Sequence, residues 1–120
     1  MSRRLGTSLF AALVAAAAQA SPADVVAATA DCADRVCNFA VTVRHADEGW
    51  THYADAWEVL APDGRVLATR KLEHPHVDEQ PFTRELRGVA MPADVTTVRI
   101  RAHDSVTGYG GREVTVSIAK

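Results

Sequence analysis

Five histidines fall in only three segments of the chain, residues 45–52, 73–82 and 102–111. Neutral imidazole binds zinc, copper, iron and nickel, and three imidazoles with one open coordination position are typical of a catalytic or exchange site. If the fold brings the three segments together, we expect a transition-metal site, with copper or zinc favoured and iron as the alternative. The candidate ligands are His45, His52, His74, His76 and His103.

Carboxylates accompany these histidines, and a metal-bound imidazole is usually oriented by a hydrogen bond from its second ring nitrogen to such a group. Asp55 shares its strand parity with Trp57, which predicts an inward side chain. The alternative is that Asp55 pairs with Arg70 or Arg84, because a buried charge requires a partner. The loop acids could instead bind calcium, although no EF-hand spacing is present. The supporting carboxylates are predicted to be Asp47, Asp55, Asp78 and Asp104.

Short β-branched runs separated by turn residues recur along the chain and predict an all-β, seven-stranded antiparallel sandwich of immunoglobulin-like type. In antiparallel order, the second, fourth and sixth strands end at the same pole, so the three histidine segments should converge there. The predicted strands span residues 25–30, 38–44, 53–60, 65–72, 82–87, 95–103 and 112–119.

Aromatic residues have two predicted roles. Trp57, with Tyr53, is predicted to face the core. Trp50 and Tyr109 lie in loops between polar neighbours and are predicted to form walls of a pocket at the histidine pole, although Trp50 could equally cap the core.

The beginning of the chain predicts export. A basic start (MSRR), an apolar run over 5–18 and an A-x-A site at 18–20 are typical of a secretory signal peptide. We therefore expect a signal peptide over 1–20 and a single mature domain over 21–120, exported by the general secretory route to the periplasm or outside the cell. The apolar run is shorter than the roughly 20 residues that span a bilayer, so no membrane attachment is expected after cleavage.

Charge and cysteine content narrow the function further. The chain carries 13 Lys and Arg against 15 Asp and Glu, and the leader would remove two arginines, so an acidic mature domain argues against nucleic acid as a partner. Cys32 and Cys37 form an even pair in an exported chain, which predicts a disulfide. The alternative is a metal or redox pair, but the C-x4-C spacing differs from the usual C-x-x-C.

Several short segments resemble the last three strands of fibronectin type III domains, although Thr97 lies near the position where that family usually has a tyrosine. The resemblance implies an immunoglobulin-like fold and no particular function. The matching segments are LRGV (86–89), VRIRA (98–102), GYGG (108–111) and VTV (114–116).

The runs VTVRH (41–45), THYA (51–54) and WE (57–58) resemble the His-bearing strands of superoxide reductases, which hold iron with imidazoles and one thiolate. The segment HDSVTG (103–108) lies where that family has a Cys-Asn-x-His-Gly sequence. Here the cysteine is missing and Thr107 takes the histidine position. The resemblance implies a ligand role only for His45, His52 and His103.

Three functional hypotheses follow. The first is an exported domain that binds copper or zinc through its histidine pole, with binding or carriage favoured over catalysis. The second is a metal-free module that binds a periplasmic protein or a glycan through the same loops. The third is an iron redox enzyme similar to superoxide reductase. In the first two, binding through imidazoles should weaken below about pH 6.5.

Overall fold

The computed structural model describes residues 21–118, and its regular structure there consists of seven β-strands. The all-β class and the number of strands predicted from the sequence are confirmed. The signal peptide predicted over 1–20 lies outside the described residues, and so does the end of the last predicted strand. The strands are β1 (Asp24–Ala33), β2 (Val36–Arg44), β3 (Ala54–Leu60), β4 (Val66–Lys71), β5 (Phe82–Ala90), β6 (Thr97–Asp104) and β7 (Val114–Ser117).

The strands form two antiparallel sheets that share one hydrophobic core. The first sheet has the order β1-β2-β5, and the second has the order β4-β3-β6-β7. Each strand of an antiparallel sheet can turn one face to the core and the other to solvent. Alternating residues of β2 and β6 are buried accordingly, including the rows predicted to point inward. These rows are Phe39, Val41 and Val43 in β2, and Val98, Ile100 and Ala102 in β6.

Trp57 in β3 is fully buried between the sheets, as predicted. Its indole contributes a large apolar surface to the core. Burial of apolar surface is the main favourable contribution to the free energy of folding.

A two-residue hairpin joins β1 to β2. Asp34 and Arg35 at its tip have positive φ angles of 54° and 66°, as a primed hairpin turn requires at both central positions. Cys32 and Cys37 face each other across the hairpin and are joined by a disulfide, which confirms that prediction. Because both sulfurs are used in this bond, neither is available as a thiolate ligand.

The predicted inward orientation of Asp55 is wrong. The pairing of β3 with β6 shifts in register between Ala54 and Ala56, so that Ala54 is buried and Asp55 lies on the outer face of the sheet, partly exposed. A bulge of this kind adds one residue to a strand and reverses the alternation on either side of it. The alternative pairing with Arg70 or Arg84 is not formed, because the Asp55 carboxylate accepts a hydrogen bond from His103 instead.

The end of β2, the loop before β3 and the end of β6 meet at one pole of the molecule. His45 follows β2, and Asp104, the last residue of β6, pairs with Ala54 at the start of β3. Over residues 21–118, no helix is long and apolar enough to cross a membrane.

Candidate metal centre

Three buried side chains converge at this pole: His45, His52 and Asp104, which we call the His45–His52–Asp104 cluster. The two Nε2 atoms of the histidines are 3.2 Å apart, and Nε2 of His52 is 3.1 Å from Oδ1 of Asp104. Nε2 of His45 is 3.9 Å from the other oxygen of Asp104. The exposed fractions of the three residues are 4%, 6% and 0%. The cluster could therefore hold a metal ion away from bulk solvent.

Strand alternation places two members of the cluster. His45 continues the inward row of β2 one step beyond Val43, and Asp104 continues the inward row of β6 one step beyond Ala102. Since β2 and β6 belong to different sheets, the two side chains approach each other across the end of the core.

The loop between β2 and β3 positions the third member of the cluster, His52. The amide of Glu48 donates to the carbonyl of His52 at 2.7 Å, and the amide of His52 donates to the carbonyl of Gly49 at 3.3 Å. Gly49 has a φ of +89°, a conformation that favours glycine and lets the loop turn tightly. The turn brings His52 back over His45, with the two rings edge to face and their centroids 4.6 Å apart.

Asp47 fixes the ring of His45. Its Oδ1 accepts a hydrogen bond from Nδ1 of His45 at 2.6 Å and another from the amide of Ala54 at 2.9 Å. Its Oδ2 accepts from the amide of His76 at 2.7 Å. With the proton held on Nδ1, the Nε2 atom of a neutral His45 presents a lone pair to the cluster, as in carboxylate–histidine–metal arrangements.

The hydrogen bonds inside the cluster depend on where its two histidines carry their protons. The carbonyl oxygen of Ser21 lies 3.0 Å from Nε2 of His45, and this nitrogen also faces His52. A neutral His52 has at most one proton on Nε2, which it can donate either to His45 or to Asp104. When His45 is neutral and protonated on Nδ1, its Nε2 lone pair faces the carbonyl oxygen of Ser21, and a cation at the centre would relieve that repulsion.

Asp104 is held as a carboxylate by its own loop. Burial raises the pKa of Asp104, but hydrogen bonds from the hydroxyl and amide of Thr107 and from the amide of Val106 lower it, as does the nearby His45, and the balance lies below the usual value. The two amide bonds measure 2.7 and 2.9 Å, and the Thr107 hydroxyl donates to the other oxygen. The Asp104 carboxylate is therefore ionised at neutral pH and offers a charged oxygen ligand.

The distances agree with a four-coordinate site. Bonds of about 2.0–2.2 Å from a tetrahedral ion to nitrogen and oxygen require neighbouring ligand atoms roughly 3.3 Å apart. Two pairs in the cluster, at 3.1 and 3.2 Å, are close to that value, and the third, at 3.9 Å, is longer. The carbonyl oxygen of Ser21, 3.0 Å from Nε2 of His45, is a further donor beside the cluster.

A cavity of about 510 Å³ adjoins the cluster, and Ser21, His45 and Asp47 contribute to its walls. Arg44, Val77 and Gln80 complete much of the lining. A small ligand or a metal ion entering from solvent would therefore meet Ser21 and His45 first.

His74 and His76 are not part of the cluster. His74 is exposed, whereas His76 is buried and stacks on Phe82 with a ring separation of 4.0 Å and an angle of 11°. Neither ring nitrogen of His76 has a hydrogen-bond partner among the described residues. His76 contributes to the pole through its backbone amide, which donates a hydrogen bond to Asp47.

We expect stability to fall on acidification because of His76. Burial, and then the charges of Arg84 and His74, lower the pKa of His76 below 6.5. Below pH 6.5 the unfolded chain therefore binds a proton that the folded chain does not, and stability decreases with falling pH by at most about 1.4 kcal/mol per unit for this group. Urea unfolding between pH 7.5 and 5, with a chelator present, should show a weaker pH dependence for His76→Phe than for the wild type.

The exposed His74 provides the control for this experiment. His74→Phe should keep most of the pH dependence of the wild type, because burial of His76 is the largest cause of its lowered pKa and the charge of His74 a smaller one. If wild type and His76→Phe lose stability in parallel over the whole range, protonation of His76 does not oppose folding.

His103 lies on the opposite face of β6 from Asp104, because neighbouring residues of a strand alternate. Its Nδ1 is 2.5 Å from Oδ1 of Asp55, and its ring contacts Tyr109 edge to face. These residues line a separate groove of about 400 Å³ on the outer face of the β4-β3-β6-β7 sheet. Tyr109 thus lies in a groove wall, and its hydroxyl donates to Glu58 at 3.0 Å.

The other candidate residues are on the surface. Trp50 is 67% exposed and packs edge to face on Tyr53. Asp78 is exposed in the segment before β5. Among the predicted supporting carboxylates, Asp47 orients His45, Asp55 orients His103, and Asp104 itself offers an oxygen to the metal position.

The sequence did not predict the roles of two residues at the site, Asp104 and Ser21. A ligand role for Asp104 could have been found, since 98, 100, 102 and 104 form one inward row of β6. Ser21 precedes the first strand, and no pattern in the sequence places its carbonyl beside His45.

No family model matches the chain, and no solved structure matches it. A protein of Halomicrobium mukohataei, provisionally named a lipoprotein, is 40% identical to this chain over 82 residues. The matched region is 68% of this chain and 40% of the relative, so the chain spans less than half of the relative's length. The similarity therefore concerns one part of a longer protein.

Proposed function

We propose that this protein is an exported immunoglobulin-like domain that binds one copper or zinc ion through His45, His52 and Asp104. The observation that carries the proposal is the convergence of two Nε2 atoms and a carboxylate oxygen within 4.8 Å of one another in a buried position. A buried carboxylate requires a positive partner, and a bound cation would supply one to Asp104.

The ligand set favours copper and zinc over the alkaline-earth ions. Imidazole nitrogens suit both transition metals, and sites of this type generally bind Cu²⁺ more tightly than Zn²⁺. Binding or carriage is proposed rather than catalysis. The resemblance to superoxide reductases does not provide their axial ligand, since both cysteines of the chain are in the disulfide.

Location in the cell envelope is part of the proposal. It is supported by the leader-like sequence over 1–20 and by the similarity to a protein that is provisionally named a lipoprotein. The immunoglobulin-like classification is supported by two antiparallel sheets of three and four strands around a buried tryptophan.

Titration with copper and zinc, followed by isothermal calorimetry and metal analysis, tests the proposal. The wild type should bind about one equivalent. The double variant His74→Ala/His103→Ala should bind the same amount, because both histidines lie outside the cluster. Absence of tight binding in the wild type would refute the proposal, and loss of binding in the double variant alone would move the site elsewhere.

A metal-free interaction module is the second candidate, and the exposure of Trp50 favours it. Tryptophan is enriched among the residues that contribute most to protein interfaces, and the indole of Trp50 is 67% exposed. This candidate would remain if the wild type bound no metal.

A further inference from the structure

The residue immediately after the predicted cleavage site touches the cluster. Ser21 is exposed, lines the 510 Å³ cavity, and places its carbonyl oxygen 3.0 Å from Nε2 of His45. The A-x-A sequence at 18–20 directly precedes it. Cleavage there would leave a free α-amino group on the residue that already lies beside the proposed ligands.

The segment that carries Ser21 is anchored. Ala23 is 1% exposed, and the amide of Val25 donates to the carbonyl of Arg112 at 2.8 Å. A Cβ on Gly111 would lie 2.0 Å from the carbonyl oxygen of Ala23, so only glycine permits this close approach. The amide of Arg112 also donates to Asp24 at 2.7 Å. The packed and hydrogen-bonded residues 23–25 therefore hold Ser21 beside the cavity and His45.

We propose that the α-amino nitrogen of Ser21 is a ligand of the metal, created by removal of the signal peptide. The proposal rests on the proposed metal site. The amino nitrogen and the carbonyl oxygen of one residue can close a five-membered chelate ring. The amine has an ordinary pKa of about 8 and would release its proton to solvent when the metal binds. Before cleavage, the same nitrogen is an amide and has no comparable affinity for metal.

Processing would thereby couple export to metal binding. The uncleaved chain would offer only His45, His52 and Asp104 with a carbonyl oxygen, whereas the mature chain would add a third nitrogen. Metal uptake would be completed only after the leader is removed, so a chain that is still attached to its leader would bind metal weakly.

Two chains that differ by one residue test the proposal. One begins with a free Ser21 and the other with an N-acetylated Ala20, which turns the Ser21 nitrogen into an amide and leaves no free α-amino group at this end of the chain. We expect the copper affinity of the extended chain to be at least about tenfold lower, the size of effect seen when a group that supports a metal site is removed. The paramagnetic resonance spectrum of Cu²⁺ should show one fewer nitrogen ligand.

The outcomes separate this proposal from the proposed function. Equal affinity and equal nitrogen counts in both chains would overturn the role of the amine while leaving the metal site in place. No tight metal in either chain would overturn both. Mass spectrometry of the full chain after export should give Ser21 as the first residue, and another first residue would overturn the proposal. Equal urea unfolding curves without metal would exclude a folding defect in the extended chain.

Discussion

Replacing Asp104 by alanine is expected to lower the free energy of unfolding of the metal-free protein by about 3 kcal/mol. The carboxylate is fully buried and accepts hydrogen bonds from the amides of Val106 and Thr107 and from the Thr107 hydroxyl. Hydrogen bonds to a charged group contribute about 1.5–3 kcal/mol each, and donors left without a partner add their desolvation cost. Urea unfolding at pH 7.5 with a chelator measures the loss.

Two milder substitutions show which part of the loss comes from each contact. Asp104→Asn keeps the shape and one oxygen acceptor, so it should lose less stability than alanine. Thr107→Val removes one donor and should cost about 1 kcal/mol. A loss below 1 kcal/mol for Asp104→Ala would mean that the loop after β6 is held by its backbone alone.

The sequence pattern predicted the β architecture because alternation along a strand is a local property. Runs such as Phe39, Val41 and Val43 must face one side of a sheet wherever the sheet lies. Antiparallel order then brings the ends of β2 and β6 to the same pole, which is why His45 was expected over the core. The structure places it there, buried and in contact with His52.

The same rule failed where the strand is irregular. The register shift between Ala54 and Ala56 reverses the parity of Asp55, and no residue type in that stretch signals a bulge.

His103 was expected among the ligands, but it precedes Asp104 on β6 and so points to the outer face. The choice between these two neighbours needed strict parity along β6, which was available in the sequence.

The sequence predicted that the histidine segments share one pole, but not the individual contacts between the loops. The turn that folds His52 back over His45 depends on the hydrogen bonds of Glu48 and Gly49 within the loop. The approach of Ser21 to His45 depends on the packing of Ala23 against Gly111. Both arise from tertiary packing of irregular segments, for which the sequence has no periodic signal.

The double substitution His45→Ala/His52→Ala is expected to lower the affinity for copper by more than about 100-fold. Removing a group that only orients a metal ligand already costs about 10–100-fold, and this variant removes two of the proposed ligands themselves. Competition titration against a chromophoric chelator gives the affinity. Circular dichroism of the metal-free variant should still show the β fold, since the two rings lie at the end of the core rather than within it.

A substitution of Asp47 should give a copper affinity between those of the wild type and the double variant. Asp47→Asn keeps one acceptor oxygen for Nδ1 of His45 and the amide of Ala54, but it weakens the charge-assisted bond to His45 and replaces the acceptor of the His76 amide by an NH2 group. We therefore expect a loss of about 10–100-fold, between the wild type and the double variant. His74→Ala should bind copper like the wild type because its ring lies outside the cluster. If His74→Ala lost affinity and His45→Ala/His52→Ala did not, the copper would bind at the exposed histidine segment before β5, and the buried cluster would be a hydrogen-bonded end to the core.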